Sequence, residues 1–140
     1  MKKNILCLCC LGISANIMFA PLANAADRTD VPEQYKWRTA DLYKTEADWT
    51  AQSKEIAAEI TELPKLQGTL GKSAGSFYKA LDKIFAVSLK LDRLYTYANM
   101  RADEDTRLSS TRAMLQTAED LAVKLGAATA FVRPEILAIG

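Results

Sequence analysis

A chain of 140 residues with 18 lysines and arginines against 17 aspartates and glutamates is close to neutral, at +1, which argues against nucleic acid or an anionic membrane as its main partner. It contains no histidine, and that excludes an imidazole base, Ser-His-Asp and Cys-His arrangements, and imidazole ligation of zinc. Carboxylate, lysine, tyrosine and hydroxyl chemistry remain.

The chain opens on Lys2 and Lys3, followed by a largely apolar run over residues 5–20 softened only by Ser14 and Asn16. Pro21 and the small-x-small triplet Ala23-Asn24-Ala25 come next. That order is the order of a secretory signal peptide over residues 1–25, cleaved between Ala25 and Ala26, and it implies export to the periplasm. A membrane anchor fits less well, because a spanning helix needs roughly 20 mainly apolar residues. Cys7, Cys9 and Cys10 raise a lipoprotein reading, but Leu6, Leu8 and Cys9 stand where lipidation wants small residues. All the cysteines fall inside the signal, so the mature chain has no disulfide, thiolate nucleophile or cysteine metal site. Loss of Lys2 and Lys3 leaves 16 basic against 17 acidic residues, a net charge of −1.

Residues 26–44 are polar, include Pro32, and read as an extended lead-in to a helical domain over residues 45–140. The first helix opens at Thr45, where Thr45 and Asp48 have capping-box spacing. Trp49, Ile56, Ile60 and Leu63 then recur on one helical face, and Pro64 ends the helix. Gly68, Gly71 and Gly75 mark a flexible loop over residues 65–75. A second helix is expected over residues 76–100. Its apolar stripe runs through Phe77, Leu81, Ile84, Phe85, Ser88, Leu91, Leu94, Tyr95 and Ala98, with Lys79, Asp82, Lys83, Lys90 and Arg93 largely off it. A third helix, N-capped by Asp105, is expected over residues 106–130. Its stripe of Leu108, Leu115, Ala118, Leu121, Ala122 and Leu125 is rich in small residues, which permits close helix contact.

Arg133-Pro134 stops that helix, and Pro134 suits the first position of a fourth beginning at Glu135. The fourth has barely begun at Ile136-Leu137-Ala138-Ile139, so the chain reads as cut rather than finished. No strand-like alternation appears. The fold class is all-α, with three helices and the start of a fourth, and Trp37, Trp49, Phe77, Leu81, Phe85, Leu94 and Tyr95 are the expected structural anchors.

Several patterns resemble functional motifs. Gly71-Lys72-Ser73 matches the end of a phosphate-binding loop, but Leu66 stands at the first glycine position and the loop follows a helix instead of a strand. Asp103-Glu104-Asp105 matches the opening of a calcium loop, yet Leu108 replaces the central glycine and Met114 the closing glutamate, so an acidic turn capping the third helix is the better reading. Tyr95 and Tyr97 suit core and core-edge positions better than a stacking platform. The second helix carries mixed Lys, Arg and Asp on its polar face, unlike an interfacial membrane helix. No catalytic residue and no metal ligand emerges.

The segment RTDVPEQYKW over residues 28–37, then Ala40-Asp41-Leu42-Tyr43 and Trp49, resembles the opening of oligoendopeptidase F-type zinc peptidases. The resemblance continues in LDRLYTYA over residues 91–98, in Asp103-Glu104-Asp105, and in FVRPEIL over residues 131–137. It covers most of the mature chain. It implies the N-terminal helical region of a larger α-helical oligopeptidase fold, whose helices wall a cavity that admits short peptides. In that family zinc sits on a later helix bearing H-E-x-x-H. Two histidines and a downstream glutamate hold the metal there, and the motif glutamate activates water. No position here matches that motif, so no catalytic or metal residue is carried over. The implied partners are a C-terminal catalytic domain and short peptides, with no nucleic acid and no stable membrane insertion after signal removal. Many members of the family are cytoplasmic, so the signal peptide is a departure. The expectation is an exported, truncated fragment, inactive alone and poorly stable because its stripes face an absent domain. The alternative is a free-standing periplasmic helical binding module.

Overall fold

The computed structural model describes residues 28–139, so the expected signal peptide and its cleavage residues Ala23, Ala25 and Ala26 lie outside the described residues. The lead-in is not simply extended. It winds through 3-10 turns at Arg28–Asp30, Glu33–Tyr35 and Thr39–Asp41. Helix α1 spans Glu46–Glu62, α2 spans Ala74–Glu104, α3 spans Ser109–Ala128 and α4 spans Val132–Ile139. No strand occurs among the described residues, and no described helix is long and apolar enough to cross a membrane.

The start of α1 follows from its capping box. The Thr45 hydroxyl accepts the Asp48 backbone N–H at 3.1 Å, and the Asp48 carboxylate accepts the Thr45 backbone N–H at 3.0 Å. Trp49, Ile56, Ile60 and Leu63 are all buried, as their spacing requires. The Trp49 indole N–H donates to the Leu94 carbonyl of α2 at 2.9 Å, which satisfies the one polar atom that burial of a tryptophan would otherwise strand. Pro64 ends α1 without ending the helical course, because it opens a 3-10 turn at Leu63–Leu66, where a missing N–H costs nothing.

Helix α2 begins before residue 76 and ends after residue 100. Its start is set by a reciprocal pair of serines. Ser73 Oγ accepts the Ser76 N–H at 3.1 Å, and Ser76 Oγ accepts the Ser73 N–H at 2.9 Å. The buried face of α2 consists of Ala80, Ile84, Val87, Leu91, Leu94, Tyr97, Ala98 and Ala102. That face is turned by about one residue from the expected stripe. Phe85 follows Ile84 by one position, roughly 100° around the helix, and is 65% exposed. Phe77, Leu81, Ser88 and Tyr95 are half-buried. Trp37 is also no anchor, at 54% exposed: the lead-in first joins the core at Leu42 and Tyr43, several residues later. Trp49 and Leu94 lie in the core cluster.

Asp105 does not cap α3. It terminates α2, and its carboxylate accepts the Arg107 backbone N–H two residues on, at 2.9 Å. That local bond competes with helix initiation, so α3 begins only at Ser109, after Leu108. Of the expected α3 stripe, Ala118 and Leu121 are buried, Leu115 and Leu125 half-buried, and Leu108 and Ala122 exposed, while Thr111 is buried in addition. The buried hydroxyls of Ser53 and Thr111 are satisfied by the carbonyls of Thr50 and Leu108. Helix α4 begins at Val132, ahead of Pro134, which still falls within the first turn, where no backbone N–H is needed.

Helices α1, α2 and α3 bury their stripes against one another. The expectation that these stripes face an absent domain therefore fails for them. Helix α4 contributes no buried residue. Replacing Trp49 with alanine removes both its buried ring and the bond to Leu94, and should lower the unfolding free energy by about 3–5 kcal/mol in urea titrations. Thr45→Ala should cost about 1 kcal/mol in the same assay.

Candidate functional site

The acidic triplet Asp103, Glu104 and Asp105 ends α2, and arginines engage two of its carboxylates. Arg101 pairs with Glu104 at 3.2 Å and with Glu46, at the start of α1, at 2.9 Å. Asp105 accepts two bonds from the Arg107 guanidinium, both at 2.8 Å. Those bonds, with the Arg107 backbone N–H, pull the Asp105 carboxyl down from 3.8 to about 2. Among the described residues no group of three or more His, Cys, Asp or Glu side chains could hold a metal ion. The zinc of the resembled family therefore does not fit these residues. The calcium-loop likeness has no coordinating geometry either.

Lys90, Arg93, Tyr43 and Tyr97 are likewise committed. Lys90 bridges Glu55 at 2.7 Å and Glu59 at 2.6 Å. Hydrogen bonds to these two carboxylates push the ammonium pKa up, and the same contact pulls Glu55 down. An amine held charged is no nucleophile. Tyr43 and Tyr97 meet edge to face with ring centroids 5.3 Å apart, and burial pushes both phenols up. The Arg93 guanidinium lies 5.1 Å from the centre of the Tyr43 ring and donates to the Leu42 carbonyl. Beside them Lys44, Asp48, Gln52 and Glu55 complete a polar recess of about 420 Å³. Asp48 is held in the α1 cap and Glu55 by Lys90, so neither carboxylate is poised as a general base. The hydroxyl of the Gly71-Lys72-Ser73 motif is occupied by the α2 cap.

What the described surface offers instead is an apolar groove of about 380 Å³ between α2 and α4, lined chiefly by Leu81, Ile84, Phe85, Val132, Ile136 and Leu137. Phe85 lines this groove and not the three-helix core. A second link fastens α4 elsewhere: the Glu135 carboxylate accepts the backbone N–H of Gly68 at 2.5 Å and of Leu70 at 3.3 Å. Sequence reasoning missed Glu135, since its partners lie more than sixty residues away. The groove can receive apolar side chains.

No family model and no solved structure matches the chain. Curated proteins do. Oligopeptidase PepF of Bacillus subtilis is 36% identical over 113 residues, covering 81% of this chain and 17% of that protein. The plasmid oligoendopeptidase F of Lactococcus lactis subsp. cremoris is 34% identical over 116 residues, 82% of this chain and 19% of the relative. Group B oligopeptidase PepB of Streptococcus agalactiae is 25% identical over 111 residues, 79% of this chain and 18% of the relative. The chain thus spans about a fifth of the length of the relatives it matches.

The depressed Asp105 pKa has a definite sign. A carboxyl lowered in the folded state stabilises fully above its ordinary value of 3.8, and that contribution fades as the pH falls towards about 2. Asp105→Asn should therefore melt below the parent chain at pH 7, with the gap closing between pH 4 and pH 2 in thermal melts. A gap that stays constant across that range would mean the ionic bond to Arg107 contributes nothing.

Proposed function

The chain belongs to the oligoendopeptidase F family over the stretch it shares with those peptidases, and we propose that it forms part of the helical wall of an exported oligopeptidase that hydrolyses short peptides. The observation that carries this reading is the match along four fifths of the chain to oligoendopeptidase F peptidases. Hydrolysis is assigned to a zinc-bearing catalytic domain outside these 140 residues. That domain would supply the H-E-x-x-H histidines, the third carboxylate ligand and the base that activates water. This chain has no histidine and no cluster of metal-binding side chains among its described residues, and is inactive alone. Its partners are that catalytic domain and the short peptides the assembled enzyme admits. The apolar groove between α2 and α4 supports the reading, because it is the kind of surface a neighbouring domain covers. The order of Lys2, Lys3, the apolar run and Ala23-Asn24-Ala25 supports export to the periplasm with cleavage before Ala26.

A second reading, a free-standing periplasmic helical binding module, is favoured by one feature: α1, α2 and α3, with Tyr43 of the lead-in and Leu63 of the 3-10 turn, bury a common core.

An antibody raised against residues 37–130 separates the two on blots of periplasmic extract. The peptidase reading expects a band several times larger than this chain, carrying peptidase activity on a fluorogenic short peptide that a zinc chelator abolishes. A band near the 15.4 kDa of this sequence less its first 25 residues, without activity, would overturn that reading and leave the binding module. Sequencing the exported product from its N-terminus should begin at Ala26; a product retaining Lys2 and Lys3 would refute cleavage there.

A further inference from the structure

We infer that α4 is a hinged strap, held only through its first turn, where Val132 packs on the core and Glu135 clasps the α1–α2 loop. The inference stands on geometry within this chain and does not depend on the peptidase reading. Helices α1, α2 and α3 each bury several residues, whereas α4 buries none over its eight. Its fixed end is Val132, half-buried and packed against the core, reached from α3 through the short turn at Thr129, Ala130 and Phe131. Beyond Val132 the helix does not settle onto α2. The apolar groove intervenes, leaving Phe85 65% and Leu137 73% exposed.

A carboxylate of the same first turn ties α4 to the loop before α2. Glu135 directs Oε1 to the Gly68 N–H and Oε2 to the Leu70 N–H. Gly68 has φ +76°, in the left-handed region that favours glycine. Its backbone conformation aims the loop's amides at α4. Past the clasp, Ile139 Cγ1 lies 3.5 Å from where a side chain on Gly71 would begin, an ordinary contact that adds no lock. A segment with a packed pivot, a gap behind it and a single polar clasp has the makings of a local opening unit distinct from the core. Opened, it uncovers the groove face of Leu81, Ile84 and Phe85; closed, it leaves Leu81 half-buried and Phe85 mostly exposed.

Amide hydrogen exchange on the whole 140-residue chain tests this. In the parent chain the amides of α4, with those of Gly68 and Leu70, should exchange together and faster than the core amides of Ile56 and Leu91. Glu135→Ala should speed that set at least tenfold and leave Ile56 and Leu91 unchanged. Glu135→Gln, which keeps the shape and one carbonyl oxygen, should fall between. The inference is overturned if α4 exchanges as slowly as Leu91 in the parent chain. It is equally overturned if Glu135→Ala leaves α4 unchanged, or speeds α4 and core alike.

Discussion

The seam between α1 and α2 fixes the rest of the structure, and a single buried indole sets its register. Burying Trp49 demands a partner for its N–H, and the acceptor is the Leu94 carbonyl, forty-five residues on. With that bond placed, the α1 stripe of Trp49, Ile56, Ile60 and Leu63 meets an α2 face whose buried residues recur at three and four. Charged pairs flank the seam: Lys90 with Glu55 and Glu59, and Arg101 with Glu46. All of these side chains are partly open to solvent, which screens each pair. Loss of a buried tryptophan costs more. The apolar seam therefore dictates the helix pairing, and the ion pairs trim it.

The seam also decides what α2 shows to its other neighbours. Its buried face mixes the small residues Ala80, Ala98 and Ala102 with Ile84, Leu91, Leu94 and Tyr97, and α3 brings Ala118 to the same core. Small residues let helix backbones come near one another. Phe77 and Leu81 end half-buried, Phe85 mostly exposed, and all three lie on the flank that faces α4 or the loop before α2. The groove thus takes large side chains that the core face of α2 leaves out, Leu81 and Phe85.

Much of this is legible in the sequence where the cause is local. The Thr45–Asp48 cap and the α1 stripe are set by spacing within a few turns, and the structure has both. The start of α2 is harder to read because Ser76 takes the place of the usual acidic partner in the box. Assigning the α2 face goes astray because large side chains such as Phe77 and Phe85 draw the reading, although the packing buries Ala80, Val87 and Ala102 and leaves Phe85 exposed. Asp105 illustrates competition between two local uses of one side chain: it can cap the next helix or close a turn on Arg107, and the guanidinium decides for the turn. Glu135 is beyond local reasoning altogether, since its acceptor role exists only once the α1–α2 loop has been brought beside α4. The candidate site is less legible than the fold for the same reason: the groove is made by two helices far apart in the chain.

Function lives in sites placed on a scaffold and not in every part of it. Here several groups that could do chemistry are held by one another. Glu46 and Glu104 are held by Arg101, Asp105 by Arg107, and Glu55 and Glu59 by Lys90. Burial holds the phenols of Tyr43 and Tyr97 in their protonated form. Each of these contacts strengthens the bundle, and each removes a base, a nucleophile or a ligand from use. The apolar groove lies where α2 and α4 stand apart. A groove of that kind is a surface for another domain to cover, and the proposed reading assigns bond cleavage to that domain.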